Sequence, residues 1–188
     1  MKKFFITVFL LVGITVASLF AWEPIDLTKY PSCMGPKSWI LNVGVGLGDM
    51  PILRTHYFFI PPVSVSLDKN VPLSDKGLPF FFGGFVSYWG NGFRDGKDHW
   101  YYSVLTPAVR IGYHFNWDVD KLDTYAVTKV GYKIYIGEGF GDLYKFGFPS
   151  IGVSIGARFF PLDWFGFWAE AGVGTYLYSV DLGLAFKF

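Results

Sequence analysis

From Trp39 onward, apolar residues alternate with small or polar ones at a period of two, the spacing that sends successive side chains to opposite faces of a β-strand. In residues 107–117 one face reads Val109, Ile111, Tyr113, Phe115 and Trp117, and the other Ala108, Arg110, Gly112, His114 and Asn116. Residues 127–136 set Thr128, Val130, Tyr132, Ile134 and Ile136 against Val127, Lys129, Gly131, Lys133 and Tyr135. The same segregation recurs at 39–48, 150–159, 165–174 and 178–188, and less regularly at 62–68 and 80–89, where Phe81 and Phe85 share the otherwise small face. Eight strands of roughly ten residues are therefore predicted, a length that crosses a bilayer when tilted. Short turns are expected at about 69–79, 118–123 and 160–164, and outward connections at about 49–61, 90–99, 137–149 and 175–177. An even strand count puts both chain ends on the periplasmic side.

The composition of the two faces decides which one meets lipid. A soluble lipocalin-like barrel would line a cavity with its apolar face and show the other to water. Here the second face is mostly Gly, Ser and Ala with scattered charges, which suits a narrow interior and poorly suits a soluble exterior. The bulky face would also overfill an eight-stranded lumen. The expected fold class is all-β: a closed antiparallel up-and-down transmembrane β-barrel of eight strands.

Two sets of residues follow from that orientation. The inward ionisable side chains Asp68, Arg110, His114, Lys129, Lys133, Arg158, Glu170 and Asp181 are expected to pair across the lumen, because a lone desolvated charge is costly. A polar track or a gate made of switching ion pairs is the alternative use. Aromatic girdles are expected at the strand ends: Tyr88, Trp89, Trp100, Tyr101 and Tyr102 outside, and Tyr113, Trp117, Trp164, Phe165 and Phe188 toward the periplasm.

Composition agrees: 52% apolar and 21% aromatic against 16% charged is more apolar than a soluble domain shows. Residues 1–21 read as a cleaved signal peptide, with Lys2 and Lys3 ahead of an apolar run and cleavage near Ala21 or Ser18. An uncleaved anchor is the other reading of that run. Residues 22–37 are then a periplasmic N-terminal extension and 38–188 the barrel. No second apolar stretch of about 20 residues exists, so a polytopic helical protein is excluded. Without Lys2 and Lys3 the chain carries 14 basic and 15 acidic residues, which gives nucleic acid no electrostatic footing. The single cysteine, Cys33, can form no disulfide within the chain and reads as a free thiol in a flexible segment.

The eight-segment pattern, the run Phe167-Trp-Ala-Glu-Ala-Gly-Val-Gly174 and the ending Val180-Asp-Leu-Gly-Leu-Ala-Phe-Lys-Phe188 resemble the small outer-membrane barrels of the outer-membrane-protein A, X and W type. The resemblance covers about residues 38–188. It implies a bacterial outer-membrane location, and a C-terminal signal at Tyr178, Leu184, Phe186 and Phe188 read by the barrel assembly machinery. The partners it implies are the lipid bilayer and, through the outward loops, host or envelope ligands.

Motifs for chemistry are weak. Some small outer-membrane barrels deacylate or transacylate lipids with a Ser and a His near the outer rim. His114 is followed at the second position by Asn116, so the His-x-Ser pairing is absent, and His99 near Ser103 reads as a loop histidine. Glycine-rich phosphate loops fail on spacing, since Asp49 and Asp142 stand where a third glycine is needed. Asp118, Asp120 and Asp123 lack the calcium-loop pattern and read as a solvated periplasmic turn. No Cys/His set has zinc spacing, and no cofactor, metal or catalytic residue is expected. The expected role is structural or surface-interacting, with a narrow channel for small or hydrophobic solutes as the alternative and a lipid-modifying enzyme as a further one.

Overall fold

The computed structural model describes residues 29–46, 56–73, 77–95, 98–137, 147–175 and 177–188, with the side chains of 56–59, 91, 93–100 and 177–179 excepted. The expected signal peptide and most of the 49–61 and 137–149 connections lie outside the described residues. The elements are β1 (Trp39–Gly46), β2 (His56–Leu73), β3 (Leu78–Asp95), β4 (Asp98–Phe115), β5 (Leu122–Gly137), β6 (Phe148–Phe159), β7 (Phe165–Gly174) and β8 (Leu177–Lys187). Each strand pairs antiparallel with the next, and β1 pairs antiparallel with β8, closing an up-and-down barrel of eight strands.

Registers such as Val43 opposite Val65 and Leu184 keep apolar positions of neighbouring strands on one face. A slip of one residue would turn a whole strand's apolar set into the lumen. The outer face is exposed and apolar, including Val45, Phe82, Ile111, Ile151, Ile155 and Leu182. Backbone polar groups at that depth are satisfied by the closed ladder, the condition a strand must meet to cross lipid.

Strands β2, β3 and β4 run 18 residues and β5 runs 16, well beyond the ten expected, while β1 has only 8 and β7 has 10. The expected turn at 69–79 is strand at 69–73 and 78–79, and the expected outward connection at 90–99 is strand at 90–95 and 98–99. Crossing the lipid takes about 9–11 residues. Beyond that height neither face has to be apolar, so the period-two signal fades from the sequence although the ladder continues. The β2–β3 register shifts between Ile60 and Val63, across Pro61 and Pro62. Proline has no N–H to give a ladder.

Aromatic rings gather at the rim beside the 116–121 turn. Phe80 and Tyr113 meet edge to face at 5.0 Å between ring centroids, Tyr113 and Phe115 at 5.6 Å, and Trp164 lies 5.6 Å from Phe165 and 6.4 Å from Phe186. Trp117 donates its indole N–H to Thr124. At the outer rim Tyr88 and Tyr101 face outward, but Trp89 and Tyr102 do not. Both are buried in the lumen, 5.8 Å apart, with Val104 and Tyr135 beside them. They stand on the inward parity of their strands, so their position near a strand end did not make them girdle residues. The side chains of Trp100 and Tyr178 lie outside the described residues.

Inside, rings and glycines interlock. A Cβ on Gly156 would strike the Tyr125 ring and one on Gly112 would strike Phe81, so these two positions admit the inward aromatics only because they are glycine.

Candidate functional site

The inward parity of each strand delivers a polar set to the lumen: Asn42 from β1, Ser64, Ser66, Asp68 and Asn70 from β2, Arg110 and His114 from β4, Asp123 from β5, Arg158 from β6, Glu170 from β7 and Asp181 from β8, all buried. Asp68, Arg110, Arg158, His114, Asp123, Glu170 and Lys129 form one chain of alternating sign. Lys129 pairs with Glu170, and Arg110 Nη2 donates to Glu170 Oε2 at 2.9 Å while its Nε lies 3.1 Å from Asp68 Oδ1. Arg158 Nη2 then donates to Asp68 Oδ2 at 2.6 Å and its Nη1 to Asp123 Oδ2 at 2.8 Å, and Asp123 Oδ1 lies 2.6 Å from His114 Nδ1. Asp68 and Glu170 thus each sit between two cations, and Asp123 sits between Arg158 and the His114 ring. That arrangement offsets the desolvation each charge would suffer alone.

Neutral groups add further bonds, while Arg110 Nη1 is buried without a hydrogen-bond partner. Asn42 Oδ1 accepts from Arg158 Nε at 2.9 Å, and its Nδ2 donates to Ser66 Oγ at 2.8 Å. Tyr125 donates to Glu170 Oε2 at 2.9 Å and accepts from Trp168 Nε1 at 2.6 Å. The Arg158 guanidinium lies 4.2 Å from the Tyr125 ring centroid.

All eight ionisable residues expected inside are placed there, and the strands bring six of them into the chain. Asp181 instead accepts from Ser64 Oγ at 3.0 Å, and with Lys133 lines a cavity of about 120 Å³ toward the outer end, together with Phe85, Trp89, Thr106 and Lys129. Asp123 corrects the sequence reading, which put it in a solvated turn. It is fully buried because β5 begins at Leu122, five residues before the alternation is plain, and this extension carries Asp123 and Tyr125 inward. Of the expected aspartate cluster only Asp118 and Asp120 remain exposed on the 116–121 turn.

His114 is held at both nitrogens. Asn70 Nδ2 donates to Gly35 O at 2.8 Å, which leaves Asn70 Oδ1 as the atom 3.0 Å from His114 Nε2. With Asp123 Oδ1 at Nδ1, both ring nitrogens face acceptors.

The periplasmic mouth is occupied by the chain's own residues 29–38. Met34 is buried in the cluster of Ile40, Phe81, Tyr125, Phe160 and Trp168, and Tyr30 and Cys33 pack against it. Tyr30 donates to Phe80 O at 2.9 Å, and Lys187 Nζ donates to Cys33 O at 2.7 Å. Burial pushes both the Tyr30 phenol and the Cys33 thiol up to about 12, the nearby Asp123 charge adding to the effect at Cys33. No periodicity marks this segment, and sequence reasoning had no signal with which to place it.

An apolar, girdled exterior around a charge-filled lumen, with every strand paired into closure, defines a transmembrane β-barrel of the outer-membrane type. No protein-family model matches the sequence, and no curated protein sequence matches it. Solved structures do. OprG, an outer membrane protein of Pseudomonas aeruginosa, matches with a TM-score of 0.58 at 9% identity, over 86% of this chain and 98% of that one. Ail, the attachment invasion locus protein of Yersinia pestis, solved with the heparin analogue sucrose octasulfate, matches with a TM-score of 0.49 at 13% identity, over 82% of this chain and 100% of its own. The N-terminal β-barrel domain of Pseudomonas aeruginosa OprF matches with a TM-score of 0.46 at 16% identity, over 81% and 98%. The likeness to OprG is one of fold: this chain is a small eight-stranded barrel of the bacterial outer-membrane kind.

Proposed function

We propose that this chain serves the outer membrane as a structural or surface-interacting barrel whose lumen passes no solute. The observation that carries the reading is the filled cross-section. The chain from Lys129 to His114 spans the lumen in continuous contact, and residues 29–38 occupy the mouth beneath it. A narrow channel would need these buried ion pairs to part. Separating a buried pair costs about 3–5 kcal/mol for each group left unpaired. The same packing argues against catalysis at His114, whose two nitrogens are both committed, to Asn70 and to Asp123.

The long strands β2 to β5 support the surface role, because they carry the sheet past the lipid band on one side of the barrel and give the outward connections a rigid base. The outer face fits the lipid bilayer. Phe188, Phe186 and Leu184 fit a signal for the barrel assembly machinery, set at the seam where Phe188 and Trp39 exchange backbone hydrogen bonds of 3.0 and 2.7 Å. The deciding experiment is conductance of the purified, heat-modifiable barrel in planar bilayers. A flat trace is expected. Stepwise conductance from protein shown to be folded overturns the filled-lumen reading.

A further inference from the structure

The way residues 29–38 are seated differs from every other part of the barrel. The strands are tied by continuous ladders, whereas the mouth segment is tied mainly by single hydrogen bonds to its backbone, the Asn70 N–H to Ser38 O at 3.0 Å among them, and by two buried residues, Pro31 and Met34. Segments held by few contacts open before the ladders that surround them. Among the described ties, two are side chains of the barrel donating to carbonyls of the segment, Asn70 to Gly35 and Lys187 to Cys33, and one is Tyr30 donating outward to Phe80 O.

Asn70 is the tie with a second function. Its amide is fully used, Nδ2 on Gly35 and Oδ1 on His114, and the ring of His114 is aligned by Asp123, which Arg158 holds in turn. The groups around His114 come from every neighbouring element: Asn70 of β2, Phe81 of β3, Asp123 and Tyr125 of β5, and Tyr30 of the mouth segment. An asparagine free to rotate would present either end to Gly35. His114 Nε2 beside Oδ1 and Gly35 O beside Nδ2 together fix which end of the amide faces the segment.

We propose that residues 29–38 are a releasable plug of the periplasmic mouth, and that Asn70, oriented by His114, is the latch that keeps it seated. Asn70 and His114 are positioning residues in this device. The barrel ladders do not depend on the latch, so the plug opens without unfolding the barrel, exposing His114 and Asp123 to the periplasmic side. The mouth is thereby a docking surface whose partner is this chain's own N-terminal segment.

Cys33 is a built-in reporter, being the chain's single cysteine and packed in the plug. The experiment measures the rate at which a charged maleimide modifies Cys33 at neutral pH in full-length protein folded in detergent. Each sample is checked for the heat-modifiable gel shift that marks an intact barrel. Wild-type protein is expected to react at least tenfold more slowly than the same protein after boiling. N70D keeps an acceptor for His114 but removes the donor to Gly35, and is expected to react at least tenfold faster than wild type while keeping the gel shift. Y30F loosens the segment from its own side without touching the lumen charges and is expected to accelerate the reaction as well, which keeps the test open should N70D fail to fold. Wild-type rates in every folded variant overturn the latch. A wild-type rate equal to that of boiled protein overturns the seated plug itself.

Discussion

Replacing Arg158 with methionine is the sharpest test of the interior. Arg158 is fully buried, donates to Asp68, Asp123 and Asn42 at 2.6, 2.8 and 2.9 Å, and stacks its guanidinium on Tyr125 at 4.2 Å. Methionine approximates its length and offers no donor. Asp68 keeps Arg110 and Asn42, so it is only partly orphaned, whereas Asp123 is left with His114 alone. Removing one member of a buried ion pair costs about 3–5 kcal/mol, and hydrogen bonds to charged groups are worth about 1.5–3 kcal/mol each. Three such bonds are lost while Asp68 keeps Arg110 and Asp123 keeps the His114 ring, so a loss of about 4 kcal/mol is expected, close to a thousandfold in the folding equilibrium. R158K should fall between, since one ammonium cannot meet Asp68 and Asp123 in the bidentate manner of a guanidinium. The assay is urea unfolding of the barrel in lipid vesicles, followed by tryptophan fluorescence and by the fraction of unboiled protein at the folded gel position. The cost lies in the stranded carboxylates, so D68N combined with R158M should lose less than the sum of the single changes. A loss below about 1 kcal/mol for R158M would refute the claim that the alternating charge chain holds the lumen together.

Two further outcomes test the ends of the molecule. With its thiol pushed up to about 12 from an ordinary 9.0, Cys33 stays protonated in the folded protein where the unfolded chain has begun to ionise. Its contribution to stability is therefore complete below pH 9 and is lost as pH rises toward 12. Alkylation by iodoacetamide should be slow at pH 8 and climb with pH well beyond 9, and a rate that levels near pH 9 in folded protein would show an exposed thiol. At the other end, Phe188 bonds to Trp39 of β1 through its backbone and its side chain is exposed, so F188S should leave the unfolding midpoint near wild type. It should nonetheless slow the appearance of the heat-modifiable form with reconstituted assembly machinery, and an unchanged rate would remove Phe188 from the assembly signal.

The alternation of the sequence already separates the two faces strand by strand, and parity alone sends Asp68, Arg110, His114, Lys129, Lys133, Arg158, Glu170 and Asp181 inward. The departures have specific causes. Asp123 and Tyr125 lie ahead of the clear alternation, in a stretch whose three aspartates look like a turn. Trp89 and Tyr102 were assigned by closeness to a strand end, although the parity of Phe81 and Phe85 on β3 and of Arg110 on β4 already points them inward. The outward extensions of β2 to β4 lose the clean period of two, because aromatic and apolar residues run together at 57–60 and 100–102. The segment at 29–38 has no repeating pattern, and its place in the mouth rests on scattered contacts with Phe80, Asn70 and Lys187.

By itself, then, the sequence determined a bilayer-spanning all-β chain of eight segments with an apolar outside and a charged inside, because the period of two is a local property of extended backbone that each segment displays alone. Which charges meet was decided only by tertiary structure. Arg158 and Asp68 are 90 residues apart, and Arg110 and Glu170 are 60 apart. Their pairing depends on the register of every intervening ladder and on the closure of β1 onto β8. Those are non-local quantities, and no single strand encodes them.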